Sequence, residues 1–435
     1  MLTNFRDFED FLSRFTNYER IPSFKYDSKT LGLGRLRALM AEIGNPHEAY
    51  PSVHIGGTKG KGSTSLILEA LLQSAGYTVG TYTSPHVEHL RERIRIGGKP
   101  MAEGGLLHEI NHLLPAVERR RQEDPEEFPS FFELMTALAM ASYRTHNVDW
   151  GVFEVGLGGR LDATNLLSPS STAITSIGLE HTQQLGNTLQ LVAREKAGII
   201  KPGTPVVLGP LPAEAADEIC RIAREHSAPL FPVDTNLVKT AGPGSLSITG
   251  HGILPAGPII GPALRLDLGI ALTLFQQALE TKGKRPDTEV IASAISGLSL
   301  PARVEVFPIE PNIVIDSAHT SASIHALRLA LSEIGFPEPR TLIFSIAQGK
   351  ELSSILKQLP EIADEIILTR GDPSRSLHPT KLREKLGQGD VFLEPQAALQ
   401  EALRRGRSVV VTGSFYLAGS LRPVVREMAV TNSER

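Results

Sequence analysis

Positions 53 to 64 read VHIGGTKGKGST, a β-tolerant lead, a glycine-rich turn and then a Ser-Thr pair that can open a helix. Glycines allow left-handed backbone and close approach, so successive N–H groups of Gly57, Thr58, Gly60, Gly62, Ser63 and Thr64 can surround one anion. The helix dipole adds to the attraction. On this reading Lys61 reaches a terminal phosphate and Ser63 a phosphate-bound magnesium. The common pattern GxxxxGK[ST] is not met, because Gly62 separates Lys61 from Ser63. A plain glycine-rich surface turn is the competing reading, and the rest of the chain must decide.

Other chemistry-bearing residues fall where strands are expected to end. Glu154 closes the apolar run WGVFEV, and a carboxylate at the carboxyl end of a parallel strand sits where open α/β sheets bind ligands. It can hold magnesium, while Arg160 and Asp162 in the following loop either meet phosphate or order that loop. Ser84 and His181 follow two further strand patterns, so hydroxyl, carboxylate and imidazole can gather around one magnesium shared with phosphates. A lone histidine is nevertheless more often a satisfied loop residue. Lys196 lies among Val192, Ala193 and Ile199 in a helical pattern, where a lysine ordinarily snorkels to water. In the second half, Asp316 and His319 end the run IVIDSAH; Asp316 can bind a ribose hydroxyl, or the pair can be a helix cap and a surface histidine.

These residues need a framework of alternating strands and helices. Strand patterns at 78–82, 150–155, 173–176 and 206–208 interleave with helical ones such as 131–143, which implies parallel sheets with crossover helices. The glycine- and proline-rich stretch 242–262 reads as an excursion, with a hairpin as one form, before an apolar helix at 266–279. After a break near Leu298 the alternation restarts, with strands at 313–315, 341–344, 365–368 and 408–411 and a helix at 321–334. The reading is therefore α/β with two domains, 1–298 and 299–435.

The 435 residues include 41% hydrophobic and 21% charged side chains with net charge −4, which gives no general case for nucleic acid or an anionic membrane. One cysteine, Cys220, excludes an intrachain disulfide and fits a reducing cytoplasm. The N-terminal segment lacks a secretory apolar core, and no segment is apolar for long enough to span a membrane.

In order along the chain, LGLGRLRALMAEIGNP, HIGGTKGKGST, TSPHVEHLRERI, EVGLGGRLDATN, ITSIGLEHTQQLGNTLQLVAREKAGIIKPGTPVV, LPARVEVF, IDSAH and TGSFYLAGSLR resemble the folylpolyglutamate synthase/dihydrofolate synthase family of the Mur ligase superfamily. The resemblance implies an N-terminal P-loop ATPase domain with a parallel-rich sheet and a smaller, Rossmann-like C-terminal domain. It implies a monomeric ligase that uses ATP and Mg2+ to join L-glutamate to dihydropteroate or folates through an acyl phosphate. By motif position, Lys61, Lys196 and His181 are then catalytic. Ser63, Ser84, Glu154, His181 and a carbamylated Lys196 are magnesium positions, and Arg303, Asp316 and His319 are contributions to the nucleotide.

The chain departs from the family pattern at several points. Lys59 stands where Asn is usual, Ala302 where Gly is, Thr320-Ser321 where Asn-Pro is, and Leu90 where an aromatic is common. GPALRLDLGIALTL does not match the family's His-Gln-x-x-Asn segment, and Gln348-Gly349-Lys350 replaces its Lys-Asp. A Mur-type ligase with another acid or amine, or a nucleotide-binding homologue without chemistry, therefore stays open on the residues alone.

Overall fold

The computed structural model describes residues 1–21, 24–28, 30–123 and 128–433. Eight strands form the first sheet: β1 Ser52–Gly56, β2 Val79–Tyr82, β3 Ile94–Ile96, β4 Lys99–Pro100, β5 Trp150–Glu154, β6 Ser171–Ile174, β7 Val206–Leu208 and β8 Leu230–Pro232, in the order β4-β3-β2-β5-β1-β6-β7-β8. All pairings from β2 to β8 are parallel, and β3 and β4 add an antiparallel edge. β1, β2, β5, β6 and β7 are buried along their whole length, as expected of strands covered on both faces.

The coverage comes from helices on each side. Lys61–Ser74, Gly261–Glu280 and Thr288–Ser296 share one core with β1 and β5. Leu33–Glu42, Glu103–Glu123 and Phe131–Thr145 fill the other face. Ser130 starts the last of these with a capping box, accepting the Glu133 N–H while the Glu133 side chain accepts its own. The excursion is a three-stranded antiparallel sheet, β9 Val238–Gly242, β10 Ser245–Ile248 and β11 Gly252–Pro255, laid onto the first core. The helix after it begins at Gly261, five residues before the apolar pattern suggests. Pro262 is compatible with the first helical turn, so periodicity alone hides the true start.

The last helix on the first sheet ends at Ser296, and the second large sheet begins at Glu305. It contains β12 Glu305–Phe307, β13 Ile313–Ile315, β14 Arg340–Phe344, β15 Glu365–Leu368, β16 Asp390–Val391 and β17 Ser408–Thr412, ordered β12-β13-β17-β14-β15-β16. Only β12 is antiparallel. Ser321–Glu333 and Pro379–Leu386 cover one face; Pro395–Arg404 and Phe415–Ser433 cover the other.

Contacts between the two halves fix their arrangement. Arg265 pairs with Glu333 at 2.6 Å, Arg426 with Glu88 at 3.1 Å, and Arg422 joins Glu88 to Glu305. The loops after β1, β2, β5 and β6 thereby face those after β13, β14, β15 and β17. The two parallel sheets turn their carboxyl ends towards each other.

Gly80 in β2 lets the strand lie against fully buried Tyr143, because an added Cβ would lie 2.5 Å from its ring. Gly80→Ala is expected to lower stability by about 2 kcal/mol through overpacking. Urea unfolding checks this, and an unchanged midpoint would show that the ring yields freely.

Candidate functional site

β1 ends at Gly56, and Gly57 (φ 141°) and Gly60 (φ 86°) carry the chain into the helix beginning at Lys61. Thr64 N–H makes the first bond back, to Gly60 O at 2.9 Å, which leaves the earlier N–H groups of the turn without intrahelical acceptors. The turn is held from behind by the segment after β6. Thr58 N–H donates to Ser176 O at 2.8 Å, Lys59 N–H to Ser176 Oγ at 2.9 Å, and Thr175 Oγ1 to Lys59 O at 2.6 Å. A Cβ on Gly57 would fall on Thr175 and one on Gly60 on the Asp267 carboxylate, so both glycines are sterically required.

Glu154 is 5% exposed, and its Oε2 accepts the Ser84 N–H at 2.9 Å. Burial raises its pKa against the attraction of Lys61. A Cβ on Gly62 would lie 3.3 Å from Glu154 Oε2 and 3.7 Å from Arg303 Nη2. The carboxylate from the first sheet and the guanidinium from the second half therefore meet beside the turn. Arg303 is steadied by Ser317 Oγ at 2.7 Å and lies over the Phe415 ring at 4.7 Å.

Lys196, on helix Leu189–Ala197, does not snorkel. It is 5% exposed, and its Nζ donates to Gly57 O at 2.8 Å inside the turn. Burial, with repulsion from Lys61, pulls its pKa down to about 7. His181 has left-handed backbone (φ 51°), and burial lowers its pKa to about 4, which leaves a neutral imidazole. Among the described residues no group of histidine, cysteine and carboxylate side chains forms a complete metal cage.

Two loop questions resolve in favour of local order. Asp162 accepts N–H groups from Leu157 at 2.9 Å and Thr164 at 3.0 Å, while Arg160 pairs with Glu195 at 2.9 Å. Asp316 receives Val304 N–H at 2.9 Å and Ala318 N–H at 2.6 Å, so its carboxylate orders its own loop. The helix cap is Thr320, not Asp316: its side chain accepts the Ser323 N–H.

His319 is tied to the other half. Its Nδ1 faces Ser317 O at 2.8 Å, and since a carbonyl only accepts, Nδ1 carries the proton and Nε2 is free to accept. Nε2 lies 3.1 Å from Lys59 Nζ. Glu180 Oε1 receives both Lys59 at 3.1 Å and Lys350 at 3.0 Å and lies 3.5 Å from His319 Nε2. Lys59 and Lys350, two residues at departures from the family pattern, thus bridge the halves through one carboxylate. Burial opposes ionisation of Glu180, yet the Lys59 and Lys350 ammonium groups hold its pKa well below the ordinary carboxylate range.

Sequence reasoning missed Glu180 and Asp267. Asp267 is 7% exposed beside Gly60 and Ser63, with its pKa pushed to about 8 by burial. A single acid in the apolar helix GPALRLDLGIALTL was the available signal.

The comparisons with known proteins bear on this cleft. Residues 302–415 match the Mur ligase, glutamate ligase domain. The dihydrofolate synthase/folylpolyglutamate synthase of Bacillus subtilis (strain 168) is 31% identical over 420 residues, covering 90% of this chain and 94% of that one. The chain belongs to the folylpolyglutamate synthase/dihydrofolate synthase family. Enzymes of this family are ATP-dependent glutamate ligases. The Mycobacterium tuberculosis folylpolyglutamate synthase complexed with ADP and AMPPCP superposes with a TM-score of 0.86 at 26% identity, over 97% of this chain and 98% of that one. A folylpolyglutamate synthase complex with AMPPCP and folate matches at a TM-score of 0.83 and 28% identity, over 97% and 100% of the two chains.

Glu180→Gln tests the bridge. A carboxylate whose pKa is depressed on folding contributes its full stability above its ordinary value of 4.5 and loses it as pH falls below that. The variant is expected to be about 2 kcal/mol less stable at pH 7, below the range for a fully buried pair because both lysines are partly exposed. The difference from the parent should shrink below pH 4.5. A pH-independent difference in denaturant unfolding would contradict the bridge.

Proposed function

We propose that this chain uses ATP to activate a carboxylate of dihydropteroate or a reduced folate and joins it to the amine of L-glutamate. The observation that carries the reading is Lys196, a buried amine bonded to the phosphate turn and, among the described residues, paired with no carboxylate within ion-pair distance. Nucleotide binding alone gives no reason to bury a lysine there. With its pKa near 7 the amine is substantially neutral at neutral pH, and a neutral amine takes up carbon dioxide to become a carbamate anion. That anion, with Ser63, Ser84, Glu154 and neutral His181, suits a magnesium site. Bound there, magnesium would supply charge neutralisation between nucleotide and carboxylate.

In the first step a carboxylate oxygen attacks the γ-phosphorus and ADP leaves. In the second the glutamate amine attacks the acyl carbon, and phosphate departs with that oxygen while the amine loses a proton. Lys61, the N–H groups of Gly60, Gly62 and Ser63 and Arg303 stabilise charge on the transferring phosphoryl group, whereas the Thr58 and Thr64 N–H groups are spent on Ser176 O and Gly60 O. Domains 1–298 and 299–435 supply these groups from opposite sides, and a cavity of about 2550 Å³ between them exceeds a single small-ligand pocket. Its size supports simultaneous occupation by nucleotide, acceptor and amino acid. A cytoplasmic monomer is part of the same proposal; the lone Cys220, which can form no intrachain disulfide, fits the reducing compartment.

Phosphate release with ATP, L-glutamate and either dihydropteroate or tetrahydrofolate tests the activity; no release with either acceptor contradicts it. Lys196→Ala is expected to lose about a hundredfold or more in kcat, with partial recovery in acetate, a small anion that can replace the missing carbamate. Full activity in the alanine variant would reject the role of Lys196.

A further inference from the structure

The linker between the halves ends in backbone that its residues rarely adopt. Ala302 (φ 54°) and Val304 (φ 47°) are both left-handed, and for a β-branched residue such as Val304 this is a genuine outlier. Arg303 lies between them. Backbone of this kind persists only where its surroundings over-determine it, and it gathers at functional sites. Here the surroundings do so. Val304 N–H donates to Asp316 Oδ2 at 2.9 Å, and Ala302 O accepts from Ser317 Oγ and Arg303 Nη1, each at 3.1 Å. Ala302 N–H donates to Glu305 Oε2 at 2.9 Å.

Glu305 is held in turn by Arg422, on the helix Phe415–Ser433. The guanidinium grips both carboxylate oxygens, with Nε to Oε2 and Nη2 to Oε1 each at 2.7 Å. Its remaining arm, Nη1, donates to Glu88 Oε1. Glu88 belongs to the other half, in the loop that carries Ser84. Glu92 stiffens that loop by accepting the N–H groups of Val87 at 2.8 Å, Glu88 at 2.9 Å and His89 at 2.8 Å. The Arg422 and Glu88 side chains are 11% and 4% exposed, so their attraction is largely shielded from salt. The helix also lies directly on the loop, since a Cβ on Gly419 would fall on Val87 O. One planar fork of donors thus connects the Ser84 loop to the segment that aims Arg303.

We propose that Arg422 is a positioning residue for Arg303: by joining Glu88 to Glu305 it holds the Arg303 guanidinium beside Glu154 and the phosphate turn, where the terminal phosphate of the nucleotide binds. The inference rests on the ligase reading above, which puts Arg303 on the transferring phosphoryl group. Arg422 and Glu305 are not among the described residues that line the cleft, so Arg422 acts on the nucleotide through Arg303 and not by contact. An ion pair that merely fastened the halves together would affect a nucleoside diphosphate and triphosphate alike.

The test measures binding of AMPPCP and of ADP, each with Mg2+, by calorimetry on the full chain. It compares the parent with Arg422→Gln, Arg422→Lys, Glu88→Gln and Arg265→Gln, and urea unfolding checks that each folds. Arg422→Gln should weaken AMPPCP about tenfold, the scale of one charge-assisted hydrogen bond, and leave ADP nearly unchanged. Glu88→Gln should act in the same direction, and Arg422→Lys should retain part of the affinity. Arg265→Gln breaks a pair that joins the halves through helices Gly261–Glu280 and Ser321–Glu333 rather than through the linker, and should change neither ligand. In an Arg303→Ala background, Arg422→Gln should cost nothing further, as expected of a residue that works through another. In turnover with ATP, L-glutamate and tetrahydrofolate, the loss should fall on kcat while KM for the acceptor is kept. Equal weakening of AMPPCP and ADP, the same loss in Arg265→Gln, a further loss on top of Arg303→Ala, or no loss at all would overturn the proposal. If Arg422→Gln does not unfold cooperatively, Glu88→Gln takes its place in every comparison. Absence of phosphate release by the parent would contradict the ligase reading instead, and the AMPPCP and ADP affinities would still decide the role of Arg422.

Discussion

Everything in this cleft depends on bringing positive charge from two sheets to one place without leaving it unmatched. Lys61 and Lys196 enter from the first sheet, Arg303 and Lys350 from the second, and Lys59 stands where they meet. Glu180 and Glu154 offset part of that charge. Phosphate groups are a natural complement for the remainder, which makes nucleotide binding and apposition of the halves parts of one electrostatic problem.

The arrangement follows from strand direction. Parallel strands put all their loops of one kind at one edge, so a first sheet delivers Gly57, Ser84, Glu154 and His181 together although they are far apart in sequence. The second sheet does the same with His319, Lys350, Arg375 and Phe415. Facing these edges across a cleft lets both halves line one cavity with side chains that neither brings together alone. It also explains why the helices behind the sheets carry the apolar cores, while the loops carry the chemistry.

Much of this was legible in the residues. Alternating apolar runs located the strands, because buried parallel strands read as continuous hydrophobic segments, and the glycine-rich turn announced its backbone geometry directly. Lys196 was harder: its helical spacing is that of an ordinary snorkelling lysine, and only the depth of the turn beneath it shows that the amine points inward. Glu180 and Lys350 lie 170 positions apart, so no local pattern could join them. Asp316 was ambiguous for a related reason, since a carboxylate after a strand looks the same in sequence whether it meets a ligand or, as its bonds to Val304 and Ala318 N–H show, also orders its own loop. Lys59, with no role visible in the sequence, acquires one only when the halves meet.

The central claim is that this cleft passes the γ-phosphoryl group to a carboxylate before the amine attacks. Supplying an acceptor whose reacting carboxylate is labelled with oxygen-18, and then weighing the released phosphate by mass spectrometry, tests that order of events directly. One labelled oxygen in each phosphate is the expected result. Unlabelled phosphate formed together with the amide product would contradict the account.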